Sequence, residues 1–180
     1  GYELSKFSNT GFITTLDIDF VSEVEYDSEN PDVNTNFKIN KDETKKITSV
    51  GAYALNCDEK VKVINIGADV DYIEPKAFYS CWALREIRVD ENNPNYCDIE
   101  GVLYSKDMKK LIAFPDKAPL KGFTIPDSVK EISDWAFAFC NLNNIVIPES
   151  VEEIHVDAFA ATPSLLSIYY AGSDISKCKN

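Results

Sequence analysis

Four segments of this chain repeat one pattern, apolar-x-x-apolar-x-x-x-Ala-apolar, and that repetition limits the fold more than any other feature. They are Ile47/Val50/Ala54/Leu55, Val70/Ile73/Ala77/Phe78, Val129/Ile132/Ala136/Phe137 and Val151/Ile154/Ala158/Phe159, with successive offsets of 23, 59 and 22 residues. Eight or nine residues beyond each Leu or Phe comes a short alternating stretch: Ile64-Asn65-Ile66, Ile87-Arg88-Val89, Ile145-Val146-Ile147 and Ile168-Tyr169-Tyr170. Three positions ahead of each stretch lies another apolar residue, at Val61, Leu84, Leu142 and Leu165. A unit of about 23 residues cannot close a core alone, so neighbouring units must stack and share one.

The alternating triplet reads as a short strand with its outer residues inward and its middle residue outward. Stacking aligns these strands into a parallel sheet. Pro126 and Pro148 follow their strands directly and end them, since proline lacks the N–H a ladder needs; Gly67 takes that place in an earlier unit. The Ala-Phe pair supplies a small residue at a tight corner and a large one at the centre. Its lack of alternation predicts a short helical turn there. Leu55, Phe78, Phe137 and Phe159 are expected to form one continuous internal row, with Cys81 and Cys140, each three residues after its Phe, as small buried fillers beside it.

The offset of 59 exceeds one ordinary unit. The extra stretch holds two apolar runs, Val102-Leu103-Tyr104 and Leu111-Ile112-Ala113-Phe114, around a polar turn, which predicts a β-hairpin within one elongated coil at 90–121. Residues 1–40 lack the motif. From Leu16 to Tyr26 apolar and acidic residues largely alternate, predicting one long half-buried strand, and Phe37-Lys38-Ile39 is a candidate first strand of the stack. The expected organisation is an N-terminal β cap at 1–40, a solenoid at 41–172 and a polar tail at 173–180.

The 180 residues carry 30 acids against 18 Lys and Arg, a net charge of −12, which argues against nucleic acid and against anionic membrane surfaces. No run reaches the ~18 apolar residues of a membrane helix, and no direct membrane insertion is expected. The chain starts at Gly1 without an initiator Met or a leader, so a processed product is expected. Five cysteines without a CxxC pair exclude zinc-ribbon spacing, leaving Cys97 and Cys178 as the ones open to external pairing. His155 is the single imidazole; its counterparts in other units are Glu74 and Ser133, which marks a variable, exposed position rather than a catalytic one. No nucleophile elbow, HExxH or phosphate loop occurs, so no enzyme, no cofactor and no metal site is expected. Seven acids and no base lie between Asp17 and Asp32, but acids along one strand face stand ~6.5–7 Å apart and do not wrap a calcium ion.

The runs Ile125-Pro126-Asp127-Ser128-Val129-Lys130-Glu131-Ile132 through Ala136-Phe137-Ala138-Phe139-Cys140, and Ile147-Pro148-Glu149-Ser150-Val151 through Ala158-Phe159, resemble the BspA-like (Treponema-type) leucine-rich repeat. Asn93-Pro94-Asn95-Tyr96 through Gly101-Val102-Leu103-Tyr104-Ser105-Lys106-Asp107 is similar to the elongated unit of that family. The resemblance spans about residues 45–171. Leu55 in place of Phe, Cys57 one position early, Thr162 in place of Cys and Gly67 in place of Pro depart from it. It implies an α/β leucine-rich-repeat right-handed solenoid of short parallel strands and short helical turns. It also implies a bacterial or protist protein, secreted or on the cell surface, that binds proteins or adheres to host matrix, and it brings no catalytic residues.

The outward middle residues Asn65, Arg88, Thr124, Val146 and Tyr169 are expected to form a row across the coils, the kind of surface on which solenoids bind a protein ligand. Arg88 and Tyr169 lead it, because Arg and Tyr are enriched among binding hot spots. A merely solvated sheet face is the alternative, with the chain then acting as a spacer that displays a partner domain. An accessory role in a carbohydrate-active or hydrolytic system is a third reading.

Overall fold

The computed structural model describes residues 2–4, 14–26, 37–55, 60–79 and 81–173. Along these run β1 (Tyr2–Leu4), β2 (Thr15–Ile18), β3 (Phe20–Tyr26), β4 (Phe37–Val50), β5 (Val63–Ile66), β6 (Tyr72–Ile73), β7 (Glu86–Val89) and β8 (Tyr96–Ile99). They continue as β9 (Val102–Ser105), β10 (Lys110–Ala113), β11 (Gly122–Thr124), β12 (Glu131–Ile132), β13 (Asn144–Ile147), β14 (Glu153–Ile154) and β15 (Ser167–Tyr170). Each coil gives a longer strand to one wall and a shorter one to the other, and the strands of successive coils pair in parallel.

The longer strands carry the alternating triplets. Ile64, Ile87 and Ile145 are fully buried, Ile66 and Ile147 nearly so, while Asn65 and Arg88 face outward side by side in register. Their ladder is not one sheet. β2-β5-β7 and β11-β13-β15 form separate three-stranded parallel sheets. The shorter-strand wall is divided at the same level, between a sheet containing β1, the end of β4 and β6, and another ordered β14-β12-β10-β9-β8.

The elongated coil causes the division. After β7 the chain makes a meander in which β8 pairs antiparallel with β9 and β9 with β10, one strand more than the hairpin expected from sequence. β10 then takes the short-strand place of an ordinary coil and pairs in parallel with β12, Leu111 opposite Ile132. Ala113-Phe114 follows as a disguised Ala-Phe pair: Phe114 N–H donates to Ala136 O at 2.7 Å, as Phe137 N–H donates to Ala158 O at 2.8 Å. Asn93 anchors the entry to this coil. It is fully buried, donates to Gly67 O and Val70 O at 2.8 and 2.9 Å, and accepts from the N–H groups of Asn95 and Tyr96, both at 2.9 Å.

The expected single row of large residues is therefore in two parts. Leu55 is buried in one core with Cys81 and the half-buried Phe78 packed against it. Phe114, Phe137 and Phe159 occupy the other, Phe137 stacking on Phe114 at 5.4 Å and on Phe159 at 5.1 Å between ring centres. Cys140 is buried beside them. Cys57 and Cys178 lie outside the described residues.

Three further expectations are corrected. Among the described residues there is no helix. The corner before each Leu or Phe is a tight turn closed by an i→i−3 bond: Ala54 to Gly51, Ala77 to Glu74, Ala136 to Ser133 and Ala158 to His155. Its third residue has a positive φ in every case, 60° at Tyr53, 67° at Lys76, 60° at Trp135 and 61° at Asp157, the signature of a type II turn rather than a helix. The Leu16–Tyr26 stretch is two strands, not one, because Asp19 separates β2 from β3 and the two join different partners. β2 pairs in parallel with β5; β3 pairs antiparallel with β4, whose last residues then enter the other wall. Phe37-Lys38-Ile39 belongs to that antiparallel hairpin and not to the stack. The side chains of 20–41 are outside the described part, so the acidic face expected there is visible only at Asp17 and Asp19; Asp17 accepts from Asn65 Nδ2 at 2.7 Å.

Candidate functional site

The structure offers two surfaces. On the longer-strand wall, Asp17, Asn65 and Arg88 stand opposite one another across β2, β5 and β7, and Thr124, Val146 and Tyr169 across β11, β13 and β15. The five residues singled out from sequence are thus brought together as a pair and a trio. Arg88 forks onto Glu86 of its own strand at 2.7 and 3.0 Å, and this ion pair holds the Glu86 carboxyl below its ordinary range. Tyr169 is 64% exposed and is joined on the last coil by exposed Val156, Leu166 and Ile168. Ile168 is 46% exposed where Ile64, Ile87 and Ile145 are fully buried, so the last described coil presents apolar surface that inner coils cover with the next coil.

The second surface is a cavity of about 340 Å³ on the shorter-strand side. It lies where β6 ends one sheet and the elongated coil begins the next. The edge of β6 is already answered there, since Ile73 N–H donates to the Tyr96 hydroxyl at 3.0 Å. Glu74, Ser133 and His155, the first residues of three of the four corner turns, all line the cavity. The variable repeat position that sequence alone marks as exposed surface is in fact a cavity wall. Aromatic side chains supply much of the rest. Tyr79 meets Tyr53, Trp135 and Phe139 edge-on at 5.3–5.4 Å, and the Lys76 ammonium lies 4.8 Å from the centre of the Trp135 ring.

Polar groups in this cavity are buried without hydrogen-bond partners among the described residues. Asp116 Oδ2, Ser133 Oγ, Asp134 Oδ1 and Trp135 Nε1 all have none, although Asp116 and Ser133 are each only 7% exposed. Burial pushes the Asp116 carboxyl up to about 7, opposed only weakly by Lys117. The folded chain keeps this proton to about pH 7, whereas the unfolded chain releases it near 3.8, so stability falls as pH rises between those values. Asp116→Asn is therefore expected to raise the melting temperature at pH 8 by several degrees more than at pH 4. Equal shifts at both pH values would contradict it.

Glu131, Glu153 and His155 place one donor atom each within 4.8 Å of the others across β12 and β14. His155 Nε2 is 2.8 Å from Glu131 Oε1 and 3.4 Å from Glu153 Oε1, and the Lys110 ammonium is bonded to Glu131 as well. The ligand types suit a divalent ion, but an ammonium already on the shared carboxylate repels one. The group is an inter-coil charge ladder. Cys97 is half-buried beside Met108, and burial raises its thiol above the ordinary range, which opposes the thiolate that external chemistry needs.

The sequence profile of the BspA type leucine rich repeat region matches six copies over residues 32–106 and 108–180, and the chain belongs to that family. The match starts ahead of Ile47, where the repeated pattern begins. Among solved structures, the pneumococcal vaccine antigen PcpA is 25% identical over 61% of this chain and 27% of its own, with a TM-score of 0.59. A leucine rich cell surface protein from Faecalibacterium prausnitzii is 28% identical over 73% of this chain and 40% of its own, with a TM-score of 0.58. A leucine-rich repeat protein from Eubacterium ventriosum, 23% identical over 69% of this chain and 40% of its own at a TM-score of 0.54, shares the fold. The chain thus spans well under half the length of these proteins. A comparison with curated proteins returned no match.

Proposed function

We propose that this chain is a non-enzymatic protein-binding module of a secreted or cell-surface bacterial protein, working in adhesion. The observation that carries this reading is the outward sheet face, where Arg88 and Tyr169 offer an exposed cation and an exposed aromatic on rigid parallel strands. Side chains of these types on flat, preformed backbone dominate protein interfaces. The names of two similar structures, a vaccine antigen and a cell surface protein, support the extracellular placement. Thr124 and Val146 complete the trio with Tyr169, and Asn65 stands beside Arg88.

The test is biolayer interferometry of the folded chain against a panel of extracellular-matrix proteins. Binding to at least one of them, weakened tenfold or more by Arg88→Ala combined with Tyr169→Ala at an unchanged melting temperature, is expected (each residue then supplying over about 0.7 kcal/mol). No binding to any of the panel would favour the spacer reading, and binding indifferent to both substitutions would move the interface elsewhere.

A further inference from the structure

We infer that the cavity between β6 and the elongated coil is a binding site for a neutral polyhydroxylated ligand, a hexopyranose ring of a glycan. The inference is independent of the sheet-face reading, because the cavity shares no residue with that row.

Three features carry it. The first is the set of unanswered polar groups. A native interior pairs nearly all such atoms, and each exception calls for an account. Here four lie in one cavity, apart from His155 Nε2 with its ion contacts to Glu131 and Glu153. They differ in kind: Trp135 Nε1 only donates, the Asp134 carboxylate accepts, and Ser133 Oγ and the Asp116 carboxyl, which keeps its proton to about pH 7, do both. A metal ion or an ammonium answers the carboxylates but not the indole N–H. An anion answers the indole but meets the Glu74 and Asp134 carboxylates, while the Lys76 and Lys110 ammoniums of the same lining are already engaged on Trp135 and Glu131. Hydroxyl groups donate and accept in turn, so several of them on one small ring answer the whole set without importing charge.

The second feature is the wall. Tyr72, Tyr79, Trp135 and Phe139 line the same space, and Tyr72 is 53% exposed. Aromatic rings of this kind accommodate the C–H face of a pyranose while the polar groups take its rim. One side of the Trp135 ring already carries the Lys76 ammonium, which lessens its value to a cationic guest. A volume of about 340 Å³ lies at the small end of ligand pockets and suits a single ring rather than a folded partner.

The third is the backbone. A peptide that binds by extending a sheet needs a free strand edge. β10 is paired on both sides by β9 and β12, β12 by β10 and β14, and the Ile73 N–H of β6 is taken by Tyr96. Recognition in the cavity falls to side chains, which suits a sugar better than an extended peptide.

The test uses the whole chain and saturation-transfer NMR with titration. The probes are the methyl glycosides of glucose, galactose, mannose and N-acetylglucosamine, with acetyl-lysine methylamide and a capped Gly-Tyr-Gly peptide alongside. At least one glycoside is expected to bind, and Ser133→Ala and Trp135→Phe are each expected to weaken it five- to twentyfold. Ser133→Ala removes a hydroxyl with no partner in the folded chain, so it is also expected to leave the melting temperature unchanged or slightly higher, which separates lost binding from lost folding. A further arm compares a soluble polysaccharide of the responding sugar with a glycoprotein before and after enzymatic deglycosylation, to tell the two sources of that ring apart. Saturation by no glycoside, binding insensitive to both variants, or a Ser133-sensitive response from the lysine or peptide probe in place of the sugars would each overturn the inference.

Discussion

Asn93→Ala is expected to lower the unfolding free energy by about 3–5 kcal/mol, measured by urea denaturation at pH 7. Asn93 is fully buried and makes four hydrogen bonds to backbone. Truncation strands the N–H groups of Asn95 and Tyr96 and leaves Val70 O and Gly67 O without this donor, in a place where water has no ready access. A buried polar group without a partner costs about 1–3 kcal/mol, so even partial rescue leaves a large loss. Asn93→Asp sharpens the point. The carboxylate can still accept from both N–H groups, but it sets a negative charge against two carbonyl oxygens, so its penalty is expected to shrink on acidification as the carboxyl protonates and regains a donor. A loss below 1 kcal/mol for Asn93→Ala would mean that the elongated coil is held elsewhere.

Phe137→Ala is expected to cost about 3–5 kcal/mol in the same experiment. The ring is fully buried, stacks on Phe114 and Phe159, and lies 6.1 Å from Phe123, so its removal opens a cavity whose walls are themselves stacked rings. Phe159→Ala is expected to cost less, because Phe159 is half-buried and lies in the last of the described corners. An equal cost for the two would show that the last coil is covered as fully as the inner ones.

The repeat made the coil legible because inward positions on a stacked coil must be apolar, and Ile132, Ala136 and Phe137 recur faithfully as Ile154, Ala158 and Phe159. Ala113-Phe114 is not legible as such a pair because the meander shortens the corner: Leu111 and Ala113 are two positions apart, against four for Ile132 and Ala136. Spacing hid the pair, while the backbone bond to Ala136 reveals it. Alternation from Leu16 to Tyr26 reported a strand conformation correctly but could not report its partners, which change at Asp19. The corner turns lack alternation and so resembled helix; what distinguishes them is a positive φ at Tyr53, Lys76, Trp135 and Asp157, and none of these is the glycine that ordinarily announces such a turn.

The cavity was less legible still. Asp116 belongs to no repeat position, and its approach to Ser133 and Trp135 follows from the gap that the elongated coil makes in the stack. One signal was present: the residue before the corner Ala is Tyr53 in one coil and Trp135 in another, and aromatics do not belong on an ordinary solvated turn. Read beside Tyr79 and Phe139, those positions marked an aromatic cluster on the turn side, away from the sheet face.

A shared interior divided by the elongated coil underlies both surfaces, and a pair of double-mutant cycles examines it. Phe114→Leu with Phe137→Leu is expected to show a coupling of about 0.5–1.5 kcal/mol, because the two rings stack within one core. Phe78→Leu with Phe137→Leu is expected to be additive within about 0.5 kcal/mol, because Phe78 packs against the other core. Strong coupling of Phe78 to Phe137, with none between Phe114 and Phe137, would show one unbroken file of repeats and no gap for the cavity.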